Sequence, residues 1–321
     1  MPDPRGQILV IRGGAIGDFI LTLPVLGALR AQFPSAHLTV LGYPHIAGLA
    51  VLGGLADAVK PIEARGLAAC FNARAEVPTE WAEFFAGFAV ILSYLYDPDS
   101  VFEQHVRRCT SAVFIAGPHR PTEAGGVHAC ETFLKPLERL AIFDADPVPR
   151  LAPKSDASSG PRGRLKLAVH PGSGSERKNW PEANWGELLR RLAARTAADL
   201  LLVGGEAEGE RLARLTRVWP ADRLTAARSL PLTELALRLA GCEVFAGHDS
   251  GVTHLAAALG LRGLALWGDT DPAVWRPRGE KMRRLHAPEG LAALTVDRVE
   301  TELLNLLAGA ESSQPFERSV G

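Results

Sequence analysis

The stretch Ile8-Leu9-Val10-Ile11-Arg12-Gly13-Gly14-Ala15-Ile16-Gly17-Asp18, continuing as FILTLPVLGALRAQF over residues 19–33, decides how the chain is read. Four apolar residues make a buried-strand run, a glycine-rich turn follows, and Asp18 opens a segment with helical spacing. The same alternation recurs along the chain. Strands are predicted at Ile8–Ile11, Leu38–Leu41, Ala58–Ile62, Ala89–Ser93 and Ala112–Ile115, and again at Leu165–His170, Asp199–Val203, Glu243–Ala246 and Gly263–Trp267. Short apolar runs separated by turns and helix-period segments are the pattern of parallel α/β units. Between them DADPVPRLAPKSDASSGPRGR, residues 144–164, is dense in Pro, Ser and Gly and has no apolar period, as a surface connection requires. The expected organisation is therefore an α/β domain over 1–150, a linker over 151–164 and a second α/β domain over 165–308. An amphipathic helix is predicted at Val296–Leu307, and residues 309–321 form a tail with too little apolar surface to offset ordering.

A length of 321 residues suits two domains that each bury a core. With 47% hydrophobic and 22% charged residues the composition is that of a globular protein, and a formal net charge of -1 supplies no basic surface for nucleic acid. Cys70, Cys109, Cys130 and Cys242 lack the spacing of a zinc site or a disulfide framework, which fits a reducing compartment. The N-terminus runs straight into a strand without signal-peptide character, and the longest apolar stretch, Phe84 to Tyr96, is well short of the roughly 18 residues that span a bilayer. A cytoplasmic protein is expected.

Four segments carry candidate chemistry. Asp18 sits at a helix N-terminus, where a carboxylate ordinarily caps backbone N–H groups. Because ligands of open α/β sheets bind at the carboxyl ends of strands, it is also placed to act as general base towards an acceptor hydroxyl, with Gly13, Gly14 and Gly17 letting backbone approach the substrate. Arg12 stands where a dinucleotide fingerprint needs its first glycine, so a dehydrogenase is disfavoured. After the strand ending at His170, Pro171-Gly172-Ser173-Gly174-Ser175-Glu176-Arg177-Lys178 gathers hydroxyls, backbone donors and cations. Ser173, Ser175 and Lys178 suit phosphate oxygens there, or the segment is a solvated turn. Glu206 and Glu208 follow another strand and suit ribose hydroxyls, or they answer the helix dipole. Finally His248-Asp249-Ser250-Gly251-Val252-Thr253-His254 opens an Ala/Leu-rich helix whose first N–H groups could receive a diphosphate without a metal. Beyond it, WGDTDPAVWRP over 267–277 offers aromatic faces to a base or sugar.

Taken together, IRGGAIGDFILTLPVLGALR, HPGSGSERKNWP, GGEAEGER and GHDSGVTHLAAALG, with WGDTDPAVWRP behind them, resemble glycosyltransferase family nine, the ADP-heptose:lipopolysaccharide heptosyltransferases, over residues 7 to 305. The resemblance implies the GT-B fold, two facing Rossmann-like domains with parallel sheets, acceptor on the first and donor on the second. It implies Asp18 as catalytic base and Ser173, Ser175 and Lys178 at the donor diphosphate and sugar. Glu206 or Glu208 would bind the ribose, and Asp249, Ser250, Gly251 and His254 would form the donor-binding helix start. It further implies inversion, with a nucleotide-diphosphate sugar as co-substrate, no metal, no other cofactor, a glycan or glycolipid acceptor, and peripheral contact with the inner membrane surface. The Gly/Ser-rich loop 171–178 departs from the family pattern and leaves the donor's sugar and base open. Arg65, Arg74, His119 and Arg120 lie in acceptor-side loops, where an anionic acceptor or plain surface charge would account for them. Two rivals are a metal-dependent transferase using one of the pairs Asp97/Asp99, Asp144/Asp146 or Asp269/Asp271, and a non-catalytic nucleotide-sugar-binding protein.

Overall fold

The computed structural model describes residues 6–153, 163–287 and 289–312. Most of the expected linker and residues 313–321 of the expected tail therefore lie outside the described residues. The described residues form two compact units: 6–153 together with Pro272–Trp275, and 163–271 together with 276–287 and 289–312.

The first unit is built on five parallel strands, β1 (Gln7–Arg12), β2 (His37–Gly42), β3 (Ala58–Pro61), β4 (Val90–Ser93) and β5 (Val113–Ala116), in the order β3-β2-β1-β4-β5. Residues 8–12 of β1 are all buried, because a central parallel strand is covered on both faces. Its Ile8 lies opposite both Leu38 and Val90. Leu9 and Ile11 pack into a core with Trp81, Phe85, Phe102 and Phe114. The turn Pro272–Trp275, expected in the second domain, belongs to this unit, where the Trp275 indole donates to Glu123 at 2.9 Å.

The second unit has six parallel strands, β6 (Lys166–His170), β7 (Asp199–Gly204), β8 (Leu224–Arg228), β9 (Val244–His248), β10 (Arg262–Trp267) and β11 (Met282–His286), ordered β11-β10-β9-β6-β7-β8. The edge strands β8 and β11 were not predicted. Each has a single buried residue, because an edge strand in contact with solvent is polar and shows no apolar run. The helix Glu182–Arg195 buries Trp185, Leu188, Leu189 and Leu192 at helical spacing. The last helix runs Val296–Glu311, beyond the expected end at Leu307, and Ala310 in its final turn is buried. Its Glu300 is only 5% exposed and is paired with Arg191 at 3.2 Å and Arg195 at 2.9 Å, which answers the cost of burying a carboxylate.

In both sheets the strand order reverses beside the first strand, between β1 and β4 and between β6 and β9. At such a switch point the connections leave in opposite directions and open a crevice at the carboxyl ends of the strands. The turns after β1, β6 and β9 carry most of the candidate residues, and Glu206 and Glu208 follow β7.

Candidate functional site

In the first unit the turn after β1 is shaped by Gly14, whose φ of +99° excludes ordinary side chains. A Cβ there would also lie 3.1 Å from Asp18 Oδ2. Gly13 has ordinary room, and Gly17 lies inside the short helix Ile16–Ile20, its carbonyl accepting from Leu21 N–H. Asp18 does cap: Oδ2 accepts the Ala15 N–H at 3.2 Å. It nevertheless remains one-third exposed, with Oδ1 4.0 Å from the Arg12 guanidinium.

Arg12 is the residue that sequence reasoning passed over. Only 3% exposed, it donates from Nη1 to the His119 carbonyl at 2.8 Å and from Nη2 to the Asp18 carbonyl at 3.3 Å, and its guanidinium lies 4.4 Å over the Phe133 ring. Burial pulls its pKa below the ordinary guanidinium value, opposed by the charge of Asp18. Apart from Asp18, its partners His119 and Phe133 lie more than 100 positions away, where no local signal marks them.

The second unit brings most of the remaining candidates around β6 and β9. Ser173 closes its own turn, Oγ donating to the Ser175 carbonyl at 2.8 Å. Lys178, on the 3₁₀ turn Glu176–Lys178, donates to Asp249 Oδ2 at 2.6 Å, and Thr270 Oγ1 donates to the same oxygen at 2.7 Å. Asp249 therefore holds Lys178 and the turn after β10 together. Ser250 caps the helix Gly251–Ala258, its hydroxyl accepting from Thr253 N–H. The first N–H groups of that helix, Gly251 and Val252, have no helical carbonyl to bind and carry the positive end of its dipole. His254 is buried within its first turn.

The two glutamates separate. Glu208 Oε2 accepts from Gly205 N–H at 2.7 Å, and its carboxylate occupies the space that a side chain on Gly172 would need. Glu206 is exposed on the same turn.

His248 does structural work that its position in the motif did not reveal. His248 Nε2 accepts from Trp180 N–H at 2.8 Å and from the Trp185 indole at 3.3 Å, so Nδ1 carries the proton towards the Gly172 carbonyl at 3.2 Å. This neutral ring ties the loop after β6 to β9. Burial lowers the pKa of His248 to about 4 and that of His170 to about 3.

Of the paired acids, Asp97 is taken by the N–H groups of Phe102 and Glu103, and Asp146 by Val148 N–H and Arg150. Among the described residues no group of three or more His, Cys, Asp or Glu is placed to share a metal ion.

The family model described as glycosyltransferase family 9 (heptosyltransferase) matches residues 144–302, which include every candidate of the second unit. This chain belongs to glycosyltransferase family 9. Lipopolysaccharide heptosyltransferase 1 of Pseudomonas aeruginosa is 36% identical over 139 residues, 42% of this chain and 34% of that protein. The alignments to the first curated relatives cover about a third of their length. Lipopolysaccharide heptosyltransferase 3 of Escherichia coli is 23% identical over 297 residues, 83% of this chain and 84% of that protein. Among solved structures, glycosyl transferase family 9 from Veillonella parvula superposes with a TM-score of 0.78 at 16% identity, covering 96% of this chain and 99% of that one. The E. coli heptosyltransferase WaaC with ADP gives 0.71 at 19%, covering 94% and 99%. At these identities the likeness establishes the fold, and the two parallel-sheet α/β domains of this family 9 chain are those of the GT-B class, as expected.

Proposed function

We propose that this family 9 chain is an inverting, metal-independent glycosyltransferase that moves a heptose from ADP-heptose to a hydroxyl of a lipopolysaccharide-core or related glycan. The observation that carries the reading is the helix start at Ser250-Gly251 beside Lys178. Two backbone donors, a positive dipole end and a lysine supply the charge that a departing diphosphate needs without recourse to a divalent ion. Relatives named as lipopolysaccharide heptosyltransferases, and the WaaC structures with ADP and with ADP-2-deoxy-2-fluoro heptose, support adenine and heptose as the donor's parts.

In this mechanism Lys178 releases part of its hold on Asp249 to meet the diphosphate, and Ser173 and Ser175 line the same loop. Glu206 takes the ribose hydroxyls, because Glu208 is committed to Gly205 and packs against Gly172. Asp18 accepts the proton of the acceptor hydroxyl while that oxygen bonds to the anomeric carbon. The bond from that carbon to the phosphate oxygen breaks in the same step, and ADP leaves with the electron pair. One base and one displacement give inversion. Among the described residues no helix is long and apolar enough to cross a membrane. A glycolipid acceptor would be met by peripheral docking at the cytoplasmic face of the inner membrane.

The test is calorimetric titration of wild type and Asp18→Ala with ADP, UDP and GDP in chelator, followed by transfer assays. Metal-free ADP binding unchanged by Asp18→Ala, with transfer lowered by about 10²–10⁴-fold, is expected. Binding of no nucleotide, or binding only with added metal, would sink the reading. Nucleotide-sugar binding without any release of ADP would make the chain a binding protein.

A further inference from the structure

The carboxyl ends of β4 and β5 carry a feature that the donor chemistry leaves unused. Tyr96 is 67% exposed directly after β4, an unusual setting for an aromatic ring beside a sheet's crevice. Its ring and that of His119 pack in an edge-to-face arrangement, with centroids 4.7 Å apart and planes at 63°. The two residues line one side of a cavity of about 250 Å³ that is also bordered by Ser93, Leu95, Asp97 and Gly117.

The platform is rigidly mounted. Gly117 is required because a side chain there would enter the Tyr94 ring, which is itself buried with its hydroxyl donating to the Phe133 carbonyl at 2.5 Å. The His119 carbonyl takes Nη1 of Arg12, and the other end of the same guanidinium holds the Asp18 backbone. One buried side chain thus fixes the platform relative to the proposed base.

The electrostatics narrow the occupant. Asp97 and Glu103 border the cavity, and no lysine or arginine does. Asp97 accepts from two helix N–H groups, and Glu103 holds Arg107, 2.8 Å away, as its partner. An anionic sugar would meet carboxylates and no available cation. An uncharged sugar ring would lay its polarised C–H face on the electron-rich face of Tyr96 and turn hydroxyls towards the polar rim.

We infer that Tyr96 and His119 form an acceptor subsite for an uncharged pyranose ring, which presents its hydroxyl to Asp18. The inference rests on the proposed transferase reading for the role of Asp18, and its test does not require turnover. Saturation-transfer NMR is recorded with methyl α-D-mannopyranoside and with methyl α-D-glucuronide on wild type, Tyr96→Ala and Tyr96→Phe, each checked for an unchanged melting temperature. The neutral glycoside should give signal with wild type and Tyr96→Phe, at least tenfold less with Tyr96→Ala, and the glucuronide should give none. Equal signal with Tyr96→Ala, no signal with wild type, or preference for the glucuronide overturns the subsite. If the neutral glycoside behaves as expected while no nucleotide binds, the subsite stands and the transferase reading falls. If ADP binds and the glycoside ignores Tyr96, the reverse holds.

Discussion

Arg12→Met tests whether one buried guanidinium ties the base to its surroundings. Methionine keeps much of the volume over Phe133 but removes the 2.8 Å bond to the His119 carbonyl and the longer 3.3 Å bond to Asp18. A charge-assisted hydrogen bond contributes about 1.5–3 kcal/mol, and stacking of the cation on Phe133 about 1 kcal/mol more. Against this, the variant no longer buries a cation, and the Asp18 carbonyl keeps its bond from Thr22 at 2.8 Å. The net loss should be about 2 kcal/mol, a fall in melting temperature of about 4–8 °C for a unit of this size. Turnover should suffer more than stability, because a base displaced by about 1 Å loses on the order of 10²-fold. Arg12→Lys keeps the charge but cannot span both carbonyls, so it should recover stability before it recovers turnover. Scanning calorimetry and kcat measured on the same preparations decide it. An Arg12→Met protein that melts within 1 °C of wild type, roughly the error on the expected shift, with unchanged kcat would refute the argument.

Lys178→Met should weaken ADP binding by about 10- to 100-fold, the worth of one charge-assisted contact. Calorimetry in chelator reads it, and unchanged affinity would remove Lys178 from the donor site. Ser250→Ala deletes a helix cap and should lower stability by about 1 kcal/mol, seen as a lower denaturant midpoint at constant slope. For pH, His170 and His248 are neutral in the fold, with pKa values lowered by burial to about 3 and about 4 from an ordinary value of 6.5. Between those limits the unfolded chain binds more protons than the folded one, so stability is complete above about pH 6.5 and is lost as pH falls towards 4. Denaturant titrations from pH 7.5 to 4.5 should show that decline, with a shallower slope by about one proton in His248→Gln. Equal slopes for the two proteins would show that His248 titrates alike folded and unfolded.

What the chain discloses locally and what it conceals divide along a physical line. Apolar runs such as Ile8–Ile11 and Asp199–Val203 announce central strands, because burial on both faces demands such residues in sequence. The helix start at Ser250-Gly251 is equally local, since a cap and the donors it leaves open are set within four residues. The edge strands β8 and β11 escape because solvent on their outer side permits the polar residues of LTAAR and MRRLH. Arg12, Tyr96 and His248 escape for another reason: their meaning depends on partners that only strand order supplies. His248 becomes the anchor of the loop around Trp180 because β9 lies beside β6, although Asp199–Gly204 and Leu224–Arg228 intervene in the chain. The pairing of Lys178 with Asp249 follows from the same neighbourhood. The loop read from sequence as a phosphate cradle of glycines, serines and a lysine is thus held by His248 at the end of β9 and by Asp249 just after it. Replacing His248 should loosen the loop without removing any side chain that the sequence marked for contact with the donor.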